Sequence, residues 1–137
     1  MQRLFAAILQ KLGLEDTQRI LNSYPFTLSG GMLQRLMIAA ALMCQPSLLV
    51  ADEATTAIDA CNRIGLMREL KSFCKEGMSV LFVTHDLRSA SVSDRILVMD
   101  RGQIVEQDTT ERILNAPKED YTKYLLNACR LERRKMP

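Results

Sequence analysis

The sequence predicts an α/β fold: a parallel sheet with crossover helices, and a β-hairpin toward the carboxyl end. Three observations predict it. Two short apolar runs, Leu48-Leu49-Val50-Ala51 and Val80-Leu81-Phe82-Val83, lack polar alternation and read as strands covered on both faces. Between them the apolar residues recur at helical spacing, so strand, helix and strand form a crossover and the two strands run parallel. A third run, Ile96-Leu97-Val98-Met99, meets Ile104-Val105-Glu106 across Asp100-Arg101-Gly102-Gln103, a tight-turn sequence that makes a hairpin and closes the sheet.

Each element has its local reason. Leu4, Phe5, Ile8, Leu9 and Leu12 form the stripe of an amphipathic helix that ends near Gly13. A polar stretch follows, and Pro25 in Tyr24-Pro25-Phe26-Thr27 opposes helix. Ser29-Gly30-Gly31 opens an apolar segment from Met32 to Cys44, long enough for a buried helix, which Pro46 stops. The first strand ends in two acids, Asp52-Glu53. A helix from about Cys61 to Glu76 carries Ile64, Met67 and Leu70 on one side and has Gly77 as its stop. The second strand ends in Thr84-His85-Asp86. The carboxyl-terminal stretch reads as helical, with Pro117 as a break or a helix start.

Composition bounds the function. The 137 residues are about one domain's worth, with 47% hydrophobic residues, 25% charged residues and a net charge of +2. That balance excludes a disordered chain, a collagen and a strongly basic protein that seeks polyanions. The longest unbroken apolar run, Leu36 to Cys44, has nine residues, against about 20 needed to span a bilayer. Arg3 is the only early charge and Gln10 and Lys11 interrupt the first apolar stretch, which is not a signal-peptide pattern. The expected location is the cytoplasm. Cysteines at 44, 61, 74 and 129 form no Cys-x-x-Cys and His85 is the single histidine, so neither a zinc site nor a disulfide framework is indicated. The basic run from Arg130 to Lys135 has no interleaved aromatics and reads as a solvated tail, with no nucleic-acid partner expected.

Chemistry in a parallel sheet gathers at the carboxyl ends of its strands. Two neighbouring strand ends therefore bring Asp52, Glu53 and His85 to one rim. An apolar strand ending in adjacent carboxylates suits a magnesium nucleotide: the first acid holds the hard cation and the second orients or deprotonates a water. Taken alone, Asp52-Glu53 reads more readily as a strand cap or the start of a turn than as a magnesium-nucleotide site. His85 can hydrogen-bond a phosphate oxygen or a reacting water, or be an ordinary polar residue. Ser29-Gly30-Gly31 before a helix offers an N-cap, close backbone approach and a favourable dipole to an anion, or is a plain capped turn.

The order of these blocks is more specific than any one of them. Leu28-Ser29-Gly30-Gly31-Met32-Leu33-Gln34-Arg35 precedes Leu48-Leu49-Val50-Ala51-Asp52-Glu53, and Thr56-Ala57-Ile58-Asp59 and Val83-Thr84-His85-Asp86 follow. In this the sequence resembles the ATP-binding-cassette (ABC) ATPases, of the P-loop NTPase type: the blocks look like the signature motif, Walker B with the catalytic glutamate, the D-loop and the switch histidine. Gly13-Leu14-Glu15, Tyr24-Pro25-Phe26 and the tail Asn115-Ala116-Pro117-Lys118 with Tyr121-Thr122 look like the peptide and nickel uptake branch.

The resemblance implies roles and partners. Residues 1–45 would end a helical subdomain, 46–108 would form the Walker B side of the ATPase core, and 109–137 a helical tail. ATP and Mg²⁺ would be the ligands. Asp52 would position the metal, with Glu53 and His85 catalytic, while Ser29, Gly30, Gly31 and Gln34 would meet nucleotide held by a second ATPase subunit. Asp59 would join the two subunits. Membrane permease subunits would be further partners, which places the chain peripherally on the inner face of the cell membrane. Nickel, metal chelates or peptides would be the cargo.

The sequence also departs from the family pattern. No Gly-x-x-x-x-Gly-Lys-Ser/Thr occurs, so there is no phosphate-cradling loop and no lysine for the β- and γ-phosphates. The family pattern would place roughly another hundred residues before Met1, on the scale of a typical domain. Ala54 stands where the family commonly has proline. The chain by itself is therefore expected to be inactive and weakly stable. Two other readings compete: a non-hydrolytic module that lends its signature face to a partner ATPase, and a fragment of a DNA-repair ABC ATPase. The second calls for long heptad arms, and no sustained heptads occur here.

Overall fold

The computed structural model describes residues 2–53 and 60–135. Ala54 and the Thr56 to Asp59 block lie outside the described residues. The chain divides into two compact units, Met1–His85 and Asp86–Pro137.

The first unit begins with α1 (Gln2–Lys11), whose stripe buries Ile8 and Leu9 while Leu4 at its start is exposed. Gly13 ends this helix: its N–H donates to the Gln10 carbonyl, that of Leu14 reaches back to Leu9, and Gly13 takes φ +70°. Both bonds and the left-handed residue make a Schellman cap, a conformation that favours glycine. Next come α2 (Thr17–Leu21), N-capped by Asp16, and a 3₁₀ turn at Pro25–Thr27. The helix that Ser29 was expected to cap is α3 (Gly30–Leu42), and the Ser29 side chain accepts the Met32 N–H.

Strand β1 (Leu48–Asp52), helix α4 (Ala60–Cys74) and strand β2 (Ser79–Val83) form the expected crossover, and the strands are parallel from Leu48↔Ser79 to Asp52↔Val83. On α4 the buried face comprises Leu66, Met67, Leu70 and Phe73, with Ile64 half-buried at its margin. Leu9, Leu12, Leu66 and Leu70 are fully buried and pack with Ile38, Leu42 and Leu49. Each such side chain contributes about 1.5–3 kcal/mol on burial. The core lies against one face of the sheet only. Leu49 and Ala51 point into it, whereas Leu48, Val50, Leu81 and Val83 on the other face are exposed. The expectation of strands covered on both faces is corrected here: the described helices of this unit cover one face.

The second unit holds α5 (Leu87–Ala90), strands β3 (Arg95–Asp100) and β4 (Gln103–Thr109), α6 (Thr110–Asn115) and α7 (Asp120–Lys135). The hairpin forms where the sequence places it, with Arg101 at φ +47° and Gly102 at φ +80°. Two consecutive positive φ values are the geometry of a two-residue type I′ turn, whose twist matches that of the strands. The hairpin makes its own two-stranded sheet instead of closing the first. Ile96 and Val98 pack on Ile113 of α6, and Pro117 separates α6 from α7.

Candidate functional site

Parallel pairing carries both strand ends to the same edge. Asp52 is the last residue of β1 and lies beside Val83, the last of β2. The Glu53 N–H still donates to the Val83 carbonyl, at 3.0 Å, and the chain then turns sharply with Glu53 at φ +49°. A left-handed glutamate costs about 1–2 kcal/mol, and such conformations cluster at functional sites. The turn aims the Glu53 side chain across to β2, where Oε1 lies 2.8 Å from Nδ1 of His85. His85 is 78% exposed and Glu53 42%. An ion pair this wet contributes less than about 1 kcal/mol to stability, so its consequence is orientation. With Nδ1 engaged by a carboxylate, the imidazole presents Nε2 outward as an acceptor when neutral and as a donor when protonated.

The Ser29-Gly30-Gly31 turn stands on a separate element, the amino end of α3. Ser29 and Gly30 are exposed, and the thirteen residues of the helix behind them supply the dipole that favours an anion there. Gln34 lies one turn along. Its Oε1 is buried and has no hydrogen-bond partner among the described residues. A buried carbonyl without a donor is unfavourable by roughly 1–3 kcal/mol.

Arg35 was not singled out by its sequence position as a site residue, yet it fixes this helix. Its Nη1 donates to the Leu12 carbonyl at the end of α1 and pairs with Glu69 Oε2 of α4 at 2.6 Å. The pair is mostly buried, at 13% and 24% exposure. A methyl group on Gly13 would stand 2.8 Å from that guanidinium, so the bare glycine also makes room for it. The signal in the sequence is a lone cation on an otherwise uncharged helix, Met32 to Leu42.

Of the residues singled out from sequence, the structure thus brings Glu53 and His85 into contact, sets Asp52 on the same rim, and groups Ser29, Gly30, Gly31 and Gln34 on α3. Asp59 lies outside the described residues. Among the described residues no three His, Cys, Asp or Glu side chains come together as a self-sufficient metal site. A single exposed carboxylate at Asp52 fits Mg²⁺, which takes one or two protein carboxylates and completes its shell with water and substrate phosphates. Among the described residues no helix is long and apolar enough to cross a membrane.

The family described as ABC transporter matches residues 1–56. The metal-staphylopine import system ATP-binding protein CntD of Staphylococcus aureus is 47% identical over 118 residues, which cover 85% of this chain and 44% of that protein. The glutathione import ATP-binding protein GsiA of Escherichia coli is 46% identical over 123 residues, 88% of this chain and 20% of that one. The chain therefore spans less than half the length of the curated relatives it matches. A solved dimeric bacterial ABC transporter cassette superposes with a TM-score of 0.70 at 32% identity, covering 79% of this chain and 46% of that one. A post-hydrolysis form bound to ADP and Pi gives 0.67 at 33% identity, over 76% and 44%.

Proposed function

Because the chain belongs to the ABC transporter family of ATP-binding subunits, we propose that it supplies the signature turn and the acid–histidine rim of an importer ATPase subunit. The observation that carries this reading is the 2.8 Å contact between Glu53 and His85 at adjoining strand ends. Glu53 takes the proton of the water that attacks the γ-phosphate. His85, held through Nδ1 by Glu53, donates from Nε2 to a γ-phosphate oxygen when its ring is protonated. Asp52 holds Mg²⁺, which when bound offsets the negative charge of the phosphates. Ser29, Gly30 and Gly31, with Gln34 behind them, meet the γ-phosphate of nucleotide bound by a second subunit, and Asp59 joins the two subunits across the dimer.

The 137 residues alone do not turn over ATP. They contain no Gly-x-x-x-x-Gly-Lys-Ser/Thr, and a triphosphate of about four negative charges is repelled by Asp52 and Glu53 unless a lysine and loop amides hold it. Those groups come from residues outside this sequence. Residues 1–45 belong to the helical subdomain that passes nucleotide-driven closure to membrane permease subunits. The cargo is a nickel ion, a metal chelate or a peptide, a class supported by relatives named for metal-staphylopine and glutathione import.

The test is a fusion of this chain to the part of the Staphylococcus aureus relative that lies outside the matched 118 residues. The fusion should hydrolyse ATP with Mg²⁺, and Glu53→Gln should still bind ATP while turnover falls at least about 100-fold, the usual worth of a general base. Unchanged turnover in that variant removes Glu53 from the role.

A further inference from the structure

The edge of the sheet opposite the Asp52, Glu53 and His85 rim borders a cavity that the proposed activity does not use. Ser47 precedes β1 and Met78 precedes β2, and both line it, so it lies at the amino ends of the two strands. The five residues of β1 set about 16 Å between that end and the rim. The cavity has a volume of about 450 Å³, within the range of roughly 300–1,000 Å³ common to small-molecule sites. Leu4 and Ile8 of α1 and Leu42 at the end of α3 give it aliphatic walls.

The polar part of the cavity suits a cation. Phe73 and Glu76, at and just beyond the end of α4, line it together with Lys11 of α1. The Lys11 ammonium lies 5.0 Å from the centroid of the Phe73 ring and donates to the Glu76 carboxylate. A ring face and a carboxylate around one ammonium group are two attractions by which proteins hold organic cations. Helices α3 and α4 both end at this cavity, and helix carboxyl ends carry the negative pole of the dipole. Lys11 is thus an occupant supplied by the chain itself, and a weakly held one. Its side chain is 46% exposed and that of Glu76 59%, and an ion pair so exposed to water contributes little. Phe73 is buried in the core of the unit and stays in place when Lys11 turns into solvent. A small amine with an apolar body gains the same ring and carboxylate and also desolvates the aliphatic walls. We propose that this cavity is a binding site for a small organic amine, whose ammonium group displaces that of Lys11 from Phe73 and Glu76 while its apolar body lies against Leu4, Ile8 and Leu42. The site belongs to the first unit alone and does not depend on hydrolysis of ATP at the rim.

The full 137-residue chain is titrated by calorimetry with 4-phenylbutylamine, and with 4-phenylbutanol and 4-phenylbutyrate as neutral and anionic probes of similar shape. At neutral pH the amine should bind one to one and at least about 10-fold more tightly than either of the others. The chain's net charge of +2 disfavours cations in general, so a preference for the amine is a property of the site. Bound amine should slow amide exchange at the end of α1 and at Gly77 and Met78. Glu76→Gln, at an exposed position, should erase the preference for the amine over the alcohol. Lys11→Met, which keeps an unbranched apolar chain and removes the resident charge, should tighten amine binding about 2- to 5-fold. Ala7→Phe sets a ring into the cavity wall and should weaken the amine and the alcohol alike, at least about 10-fold. Amide protection of α3 verifies the folding of each variant. No binding of the amine, equal binding of the three probes, a preference that survives in folded Glu76→Gln, or weaker amine binding by folded Lys11→Met each overturns the proposal. Should Glu76→Gln fail to fold, the probe comparison on the unsubstituted chain and the Lys11→Met result carry the test.

Discussion

Two strand pairs, β1–β2 and β3–β4, each expose apolar side chains on one face, yet only the first gathers candidate site residues at one rim. Strand direction accounts for it. In the parallel pair both carboxyl ends arrive at one edge, so Glu53 reaches His85 across 32 residues of sequence. In the hairpin the end of β3 adjoins the start of β4 through a two-residue turn, and Asp100 faces Gln103. The supports differ as well. A parallel pair needs a crossover, here α4, and its geometry is inherited from helices packed through Leu9, Leu12, Leu66 and Leu70. The hairpin is set by its turn and rests on a small cluster of Ile96, Val98 and Ile113. A rim is therefore vulnerable at a distance, and a hairpin close at hand.

Arg35 is the place where that contrast breaks most strongly. Arg35→Ala would leave the Glu69 carboxylate and the Leu12 carbonyl without the cation that joins α1, α3 and α4. Losing one partner of a buried pair costs 3–5 kcal/mol; with Glu69 still 24% exposed, about 2–3 kcal/mol is expected here. Urea unfolding followed by circular dichroism reads the loss, and faster amide exchange in β1 and β2 locates it. Arg35→Lys, which cannot reach both partners with one planar fork, should recover part of it. A loss below about 0.5 kcal/mol for the alanine variant would mean that hydrophobic packing alone orients the rim.

The hairpin offers the opposite case, a local effect of intermediate size. Gly102 has φ +80° and a Cβ there would meet nothing within 4 Å. Gly102→Val therefore tests backbone conformation alone, and a β-branched residue forced to positive φ should cost about 1–2 kcal/mol. The expected readout is loss of protection at the Met99–Ile104 and Asp100–Gln103 pairs. Preserved protection would show that strand pairing, not the turn, sets the register.

What the sequence made legible follows the same division. Helix α1, the capped start of α3 at Ser29, both strand pairs and the Asp52, Glu53 and His85 rim all rest on local rules of spacing, capping or strand ends. Helices α2 and α5 escaped because five and four residues are too short for a periodic signal, although Asp16 and Asp86 mark their caps. β4 runs on through Gln107, Asp108 and Thr109, polar residues that an apolar-run criterion passes over. Arg35 escaped because its partners are 23 and 34 residues away. The uncovered sheet face was legible through the family resemblance, which implies missing strands and an exposed apolar face; the unalternating apolar runs alone specify that both faces want cover, not which residues supply it.

The smallest effect expected lies in the second unit, where β4 meets the start of α7. The Glu106 carboxylate accepts the Lys118 N–H at 2.8 Å and the Glu119 N–H at 3.2 Å. The Lys118 amide chiefly, and the nearby Thr122 hydroxyl, which makes no hydrogen bond of full geometry, hold the Glu106 carboxyl below the usual glutamate range. A folded-state value below the unfolded one contributes stability above the ordinary glutamate range and loses it as pH falls through the folded value. Asp108, held down by the Thr109 amide, and Asp120, held down by Lys123, titrate toward the same acid side, so total stability cannot isolate Glu106. The difference between the unsubstituted chain and Glu106→Gln can. It should be below about 1 kcal/mol at neutral pH, as for an exposed charge at a helix start, and should shrink toward zero in acid. Amide exchange at the start of α7 reads it, and a difference that stays constant from neutral to acid pH would mean that this carboxylate acts by shape and not by charge.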